Sequence, residues 1–288
     1  MGCRLNPRHP AAAKALAIYV MSQGAGQSLH DLSGHGFMMR WRDIPGFGEQ
    51  MFRWNQRAGG RVITFDNGNA MSTQNGTDWT YHKSWERTRL SIVAKYRTVA
   101  NATHALVAKS EGAGGGNQKW LFYWDGDALR FLVDTAAAAA EIAVSGAWTP
   151  TLGVFHTVGV VKDGLTYTFY ADRVSLGSAT VANYEALPES FSPVDLGFGE
   201  TAGIGSLTDG DEEFVFLFGD RLMPSEMRSL MERPYDLIER PMARASSAGA
   251  TGTVDAATVA AASRKGHMRI THLQVLYSLG GFSGGNKG

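Results

Sequence analysis

Short apolar segments recur at intervals of about ten to fifteen residues, each closed by Gly, Asn or Asp, with no helical stretch between them long enough to cross over a sheet. That spacing restricts the chain to antiparallel β architecture, because parallel strands need long crossover connections. The clearest strand runs over Arg89–Arg97 (RLSIVAKYR): Leu90, Ile92, Ala94 and Tyr96 fall on one face, Ser91, Val93 and Lys95 on the other. Lys119–Trp124 (KWLFYW) and Ala128–Val133 flank Asp125-Gly126-Asp127, and Phe155–Lys162 and Leu165–Ala171 flank Asp163-Gly164, so both pairs read as hairpins. Ala15–Ser22, Phe37–Trp41, Arg61–Phe65 (ended by Asp66-Asn67-Gly68), Ala105–Lys109, Val194–Phe198 and Glu213–Phe218 supply further strands. Gly-rich Glu111–Asn117 reads as a loop. One helix is expected at Ser225–Met231, with Ser225 as N-cap, Glu226 near the positive end of its dipole and Pro234 as the stop. The expected fold is all-β: a two-sheet antiparallel jelly-roll sandwich with one short C-terminal helix and an extended tail.

Composition narrows the function. The 288 residues include 27 Lys plus Arg and 27 Asp plus Glu, a formal charge of zero, which argues against general nucleic-acid binding. The single cysteine, Cys3, allows neither an intrachain disulfide nor a cysteine-based zinc site. Met1-Gly2-Cys3-Arg4-Leu5-Asn6 lacks the Ser or Thr that myristoylation requires at the sixth position. No apolar run reaches the length of a membrane span and no leader peptide is visible, so a membrane is not an expected partner.

Beyond Pro241 the chain changes character. Residues 242–263 are rich in Ala, Ser, Thr and Gly, in the manner of a linker. Met268–Leu279 returns to strand language, with Leu273, Val275 and Tyr277 on one face and Ile270 on the other. A spacer followed by an alternating strand can either add to a neighbour's sheet edge or fold back on its own domain. On the first reading Ile270, Leu273, Val275 and Tyr277 are assembly contacts. The expected division is an N-terminal arm (1–11), a jelly-roll domain (12–235), a linker (236–263) and a C-terminal strand with a Gly-rich tail (264–288).

Four stretches carry a resemblance. They are Asn6-Pro7-Arg8-His9-Pro10 leading to Asp31-Leu32-Ser33-Gly34-His35-Gly36; Val62-Ile63-Thr64-Phe65-Asp66-Asn67-Gly68; Phe155-His156-Thr157-Val158 with Lys162-Asp163-Gly164 and Phe169-Tyr170-Ala171-Asp172; and Arg221-Leu222-Met223-Pro224-Ser225-Glu226-Met227 running into Glu232-Arg233-Pro234-Tyr235. In this order they resemble the laminin-G-like, concanavalin A-like jelly-roll domains found in bacteriophage structural proteins. Phe155 stands where that family more often has Trp, Arg173 where it usually has Gly, and Asp211–Phe214 blurs its aspartate-containing strand. The resemblance implies a non-enzymatic virion protein of a tailed phage, a capsid decoration or minor tail component. Assembly would take place in the bacterial cytoplasm, through the terminal extensions, with capsid or tail proteins and further copies as partners. The alternative is a glycan-binding, lectin-like module that attaches the particle to host-surface glycans.

Glycoside hydrolysis needs two carboxylates flanking the scissile bond; Asp209-Gly210-Asp211-Glu212-Glu213 is the only dense acidic cluster and reads as a solvated turn. Asp31, Asp66 and Asp163 could offer oxygen to calcium, but turn capping is the simpler role, so no metal ligand and no cofactor is assigned. His30 and His35 suit turn contacts better than zinc. The lectin reading points to Trp120, Trp124 and Trp148 as sugar platforms. A strand as bulky on both faces as Trp120–Trp124 also suits a position packed inside the sandwich.

Overall fold

The computed structural model describes residues 3–23, 27–43, 53–57, 60–65, 69–73, 87–109, 120–135, 138–187, 194–201, 204–207 and 210–239. Expectations for 111–117, for Asp66-Asn67-Gly68 and for the C-terminal strand with Ile270, Leu273, Val275 and Tyr277 lie outside the described residues.

In chain order the strands are β1 (Arg4–Leu5), β2 (Ala15–Val20), β3 (Ser28–Leu29), β4 (Met39–Asp43), β5 (Arg53–Arg57), β6 (Gly60–Phe65), β7 (Asn69–Thr73), β8 (Arg89–Thr98), β9 (Thr103–Lys109) and β10 (Trp120–Asp125). There follow β11 (Leu129–Thr135), β12 (Ala138–Val144), β13 (His156–Asp163), β14 (Thr166–Ala171), β15 (Val174–Thr180), β16 (Val194–Leu196), β17 (Phe198–Thr201), β18 (Ile204–Leu207) and β19 (Gly210–Phe218). Helix α1 (Pro224–Glu232) and β20 (Ile238–Glu239) close the described chain. Two eight-stranded antiparallel sheets face each other. Sheet one runs β15-β14-β13-β8-β19-β6-β5, with β2 also bonded to β19, and sheet two runs β12-β11-β10-β9-β16-β7-β4-β3. The described residues therefore form a two-sheet antiparallel β-sandwich with a short C-terminal helix, as the spacing of the apolar segments predicts.

The alternation read from Arg89–Arg97 holds. Leu90, Ile92, Ala94 and Tyr96 enter the core between the sheets, while Val93 belongs to a second cluster on the outer side of sheet one. Trp120, Phe122 and Trp124 face the main core, whereas Leu121 and Tyr123 pack with Ala105, Ala108 and Leu132 in a third cluster. Both hairpins form where expected, with Gly126 at φ +66° and Gly164 at φ +60°, the left-handed region that glycine enters without steric cost.

Three boundaries differ from expectation. Helix α1 starts earlier: Met223 is the N-cap, in extended backbone, and Pro224 is the first helical residue. Proline lacks the N–H that the first turn leaves unbonded, and its ring holds the preceding residue extended, so Pro224 rather than Ser225 sets the start. Glu226 then accepts the Met223 N–H at 2.7 Å and pairs with Lys14 Nζ at 2.6 Å. Residues 3–11 return to the body instead of leaving it: β1 pairs with β20, and the Asn6 N–H donates to the Leu237 carbonyl at 2.8 Å. Finally, Gly210–Glu213 is not a solvated turn but the start of β19, with Asp211, Glu212 and Glu213 all buried.

Helix α1 buries Met227, Leu230 and Met231 against Val93, Val161, Tyr170, Phe214, Phe216 and Phe218 on sheet one. At roughly 2 kcal/mol per buried side chain, those three contribute on the order of 6 kcal/mol. The close approach depends on Gly159 of β13, where an added Cβ would lie 2.9 Å from Met227 Sδ.

Candidate functional site

β8, β10, β12 and β14 end, and β9, β11, β13 and β15 begin, at one end of the sandwich, so the connections 99–102, 126–128, 145–155 and 172–173 gather there. The longest, 145–155, is tied down at several points. The Gly146 N–H donates to the Leu176 carbonyl (2.8 Å), the Trp148 N–H to the Asp127 carbonyl (2.7 Å) and the Gly153 N–H to the Thr98 carbonyl (2.8 Å). Gly153, at φ +77°, lets the chain turn between Leu152 and Val154.

His156, the first residue of β13, holds this connection from beneath. The Thr151 N–H donates to His156 Nε2 at 3.0 Å, so in the neutral ring the proton sits on Nδ1 and is donated to Asp172 Oδ2 at 2.6 Å. The other oxygen of Asp172 accepts the Thr157 N–H at 2.9 Å. Trp148 meets the His156 ring edge-on, with centroids 5.4 Å apart, and remains half-buried. Planar polar groups stand in the neighbouring turn. Asp125 accepts the Thr103 hydroxyl at 2.7 Å, and Arg130 lies 3.3 Å from Asp125 and 3.4 Å from Asp127.

Phe155, next to His156, has the Lys95 ammonium 5.6 Å and the Arg97 guanidinium 5.7 Å from its ring centroid, within cation–π range. Lys95 pairs with Glu213 at 2.8 Å, and Glu213 also accepts the Tyr235 hydroxyl at 2.5 Å. Asp211 is fully buried, bound by Arg57 Nε at 3.0 Å and by Arg97 and the Thr64 hydroxyl. Glu213 is the extra residue of a bulge: Glu212 stands opposite Tyr96 and Phe214 opposite Lys95, so Glu213 joins Asp211 on the outer face. Glu212, between them, faces the inter-sheet core without a hydrogen-bond partner among the described residues, and burial pushes its carboxyl well above the usual range.

The three tryptophans of the lectin reading separate. Trp124 is 0% and Trp120 2% exposed, stacked on His104 and Phe131 respectively, so neither ring has a face open to a saccharide. That is a correction: these two are core residues, as a strand packed on both faces requires. Of the three, Trp148 alone reaches solvent. Phe155, Lys95, Arg97 and the His156–Asp172 pair were not singled out as site residues from sequence. A signal was nevertheless there, in Lys95 and Arg97 sharing a strand face and in the dense acid run opposite them.

Two further expectations concern loops. Asp31 caps its turn, accepting the Ser33 N–H at 2.8 Å, and His35 Nδ1 lies 2.9 Å from the Leu16 carbonyl. Among the described residues no three His, Cys, Asp or Glu side chains are grouped to hold a metal ion. No helix among them is long and apolar enough to cross a membrane.

A concavity of about 360 Å³ lies on the outer face of sheet one between β13, β14 and the segment before α1, lined by Asp163, Thr168, Tyr170, Arg221 and Met223. Its polar groups satisfy one another: Arg221 pairs with Asp163 at 2.6 Å and Thr168 with Ser178 at 2.8 Å. The Tyr170 ring is buried.

No protein-family model matches the sequence, and no curated protein does. Solved structures match in fold. Domain 4 of AbnA, a GH43 extracellular arabinanase of Geobacillus stearothermophilus in complex with arabinotriose, has TM-score 0.56 at 12% identity over 76% of this chain and 98% of that one. A structure of botulinum neurotoxin type C, whose cell entry depends on interaction with two ganglioside molecules, has TM-score 0.56 at 10% identity over 77% of this chain and 51% of that one. A mutant Trypanosoma rangeli sialidase displaying trans-sialidase activity has TM-score 0.52 at 18% identity over 77% and 33%. The chain thus spans nearly all of the arabinanase domain, about half of the neurotoxin chain and a third of the sialidase chain. At these identities the likeness establishes the β-sandwich fold and nothing finer.

Proposed function

We propose that this protein is a non-catalytic glycan-binding module whose ligand site is the loop end around Trp148 and Phe155. The observation that carries the reading is Trp148 itself. It is a half-buried indole at the edge of the core, fixed by an edge contact to His156 and by its own backbone bond to Asp127, whose turn also carries the paired Asp125 and Arg130 side chains. A pyranose is recognised by an apolar ring against its C–H face together with polar groups for its hydroxyls. Holding those groups rigid before binding lowers the ordering cost. The arabinanase domain named above, matched over 98% of its length, was solved in complex with arabinotriose, which supports the same class of ligand here.

A binding role is also easier to derive than hydrolysis. A retaining or inverting mechanism needs an accessible acid opposite a second carboxylate. Glu212, whose carboxyl burial pushes well above the usual range, is sealed between the sheets, and Asp211 and Glu213 are engaged by Arg57, Arg97 and Lys95.

The test is a glycan array followed by titration of the best ligand. Trp148→Ala is expected to weaken binding by at least about tenfold, the scale of a lost aromatic contact, while leaving the fold intact. Wild-type affinity in that variant would move the site elsewhere, and an array without reproducible binding would remove the function.

The phage resemblance supplies a setting for such a module: displayed on a virion and anchored through residues 264–288, with capsid or tail proteins as neighbours and host-surface glycans as targets. Removal of 264–288 should abolish incorporation into particles while the sandwich still folds and binds; normal incorporation of the truncated chain would refute the anchoring.

A further inference from the structure

The outer face of sheet one beside this loop end carries more positive than negative charge around a partly exposed aromatic ring. Three cations, Arg57, Lys95 and Arg97, surround two carboxylates, Asp211 and Glu213. Each carboxylate is already neutralised: Asp211 receives two guanidinium groups and a hydroxyl, and Glu213 an ammonium and the Tyr235 hydroxyl. Among the described residues of this cluster, one cationic charge is therefore left without a carboxylate. Asp211 is wholly buried, while the Arg57 side chain is 36% exposed, so the solvent side of the cluster presents guanidinium rather than carboxylate.

Phe155 converts that surplus into a recognisable site. Its ring stands over both Lys95 and Arg97 and is itself only partly buried, so an apolar ring face and cationic groups are presented together. A neutral sugar could use the ring alone. A sugar bearing a carboxylate could place its C–H face on the ring and its anion toward the cationic cluster, where charge-assisted hydrogen bonds are stronger than neutral ones. The positions are fixed in advance by strand geometry. Lys95 and Arg97 are two apart on β8, on one face, and Asp211 opposite Arg97 holds that guanidinium in place.

Resting on the glycan-binding reading above, we infer that the site prefers acidic saccharides, with Phe155 as the stacking ring and Lys95 and Arg57 as the groups that select a carboxylate-bearing sugar over its neutral counterpart. The inference concerns selectivity, so its failure can be told apart from failure of the binding function.

The experiment titrates the full chain with an oligogalacturonate and with the neutral galacto-oligosaccharide of the same length. Expected is about fivefold tighter binding of the acidic ligand at low ionic strength, the scale of a well-formed surface ion pair. That advantage should largely disappear at about 0.5 M salt. Arg57→Gln should lower the ratio of acidic to neutral affinity toward one, and Arg57→Lys should restore part of that ratio. Equal binding of both ligands, or a preference that ignores salt, overturns the acidic selectivity and leaves a neutral-glycan module standing. Binding of neither ligand, with the same protein also silent on the array, removes the parent reading and this one together.

Discussion

Along the outer face of sheet one, β8 and β19 change chemistry halfway. Toward α1 they present Val93, Phe214, Phe216 and Phe218, with Ile18 and Val20 of β2 extending the same face, and there the face is covered by the helix and by residues 3–12. Toward the loop end they present Lys95, Arg97, Asp211 and Glu213, and there the cover is Phe155 and the Tyr235 hydroxyl. The two halves lie on the same pair of strands, with the register shifting by one residue between them, and they differ chiefly in their side chains. Apolar area must be removed from water and recruits a cover, whereas paired charges remain stable at a partly wet surface and leave the face accessible. A bulge at Glu213 marks the junction. The apolar half serves stability, while in the charged half the carboxylates are buried and the cations stay partly exposed, as the proposed ligand site requires.

The comparison breaks most visibly in the covered half. Phe216 is fully buried between sheet one and α1. Phe216→Ala should cost about 4 kcal/mol in a denaturant titration, the usual outcome for a core phenylalanine, while the folded fraction keeps its glycan affinity. In the open half, Asp211→Ala leaves Arg57 and Arg97 facing each other without their carboxylate. Breaking a fully buried pair costs about 3–5 kcal/mol, but Arg57 and Arg97 are 36% and 21% exposed and water screens them. The expected loss is about 2 kcal/mol, with altered ligand selectivity as well. If Asp211→Ala cost as much as Phe216→Ala, the open half would be a second core and its availability to ligand would be in doubt.

Glu212 sharpens the contrast from inside the sandwich. It lies between Asp211 and Glu213 in sequence yet faces Tyr96 in the core, and burial raises its folded value above the reference 4.5. A folded value above the unfolded one means that the native state binds the proton more tightly. Its contribution is therefore fully present below about pH 4.5 and is lost as pH rises through the raised folded value, at up to about 1.4 kcal/mol per pH unit. Glu212→Gln should remove that decline. Stability of the wild-type chain measured by denaturant at a series of pH values above 4.5 should fall, and the variant should stay level over the same range. Parallel profiles for the two would show that Glu212 ionises without cost.

Much of the fold was legible because strand alternation is a local property. The faces of Arg89–Arg97 and the double-sided bulk of Trp120–Trp124 follow from period two and residue size alone. What escaped had distant partners. The acidic run 209–213 has the composition of a turn, and nothing nearby reveals that Arg57, 154 residues upstream of Asp211, arrives to hold it in a strand. Residues 3–11 look like a free arm because β20, which pairs with β1, is at the far end of the described chain. The site was half legible. Trp148 could be named from its place near a loop, but Trp120 and Trp124 share its residue type, and only their burial between the sheets separates them from it. The roles of Phe155 and His156 depend on β8 and the β14–β15 turn, which only folding brings beside them.

The smallest effect expected concerns that turn. Asp172 and Arg173 both have positive φ, +46° and +76°, in the connection that also supplies the carboxylate for His156. Left-handed backbone costs a residue with a Cβ roughly 1–2 kcal/mol, whereas glycine adopts it freely. The resemblance places Gly where Arg173 stands, and the geometry supplies the reason. Arg173→Gly should relieve the strain, and the greater freedom of glycine in the unfolded chain should offset part of the gain. A net stabilisation of about 0.5 kcal/mol is expected, visible as a small rise in the denaturation midpoint. Asp172 has the same kind of strain but holds His156 and the Thr157 N–H, so Asp172→Gly should instead destabilise the loop end and weaken ligand binding through the loosened 145–155 connection. Strain at Arg173 can therefore be removed without harm, whereas at Asp172 it is retained in exchange for a positioned histidine. Equal responses of the two variants would show that the His156–Asp172 bond does not hold the site together.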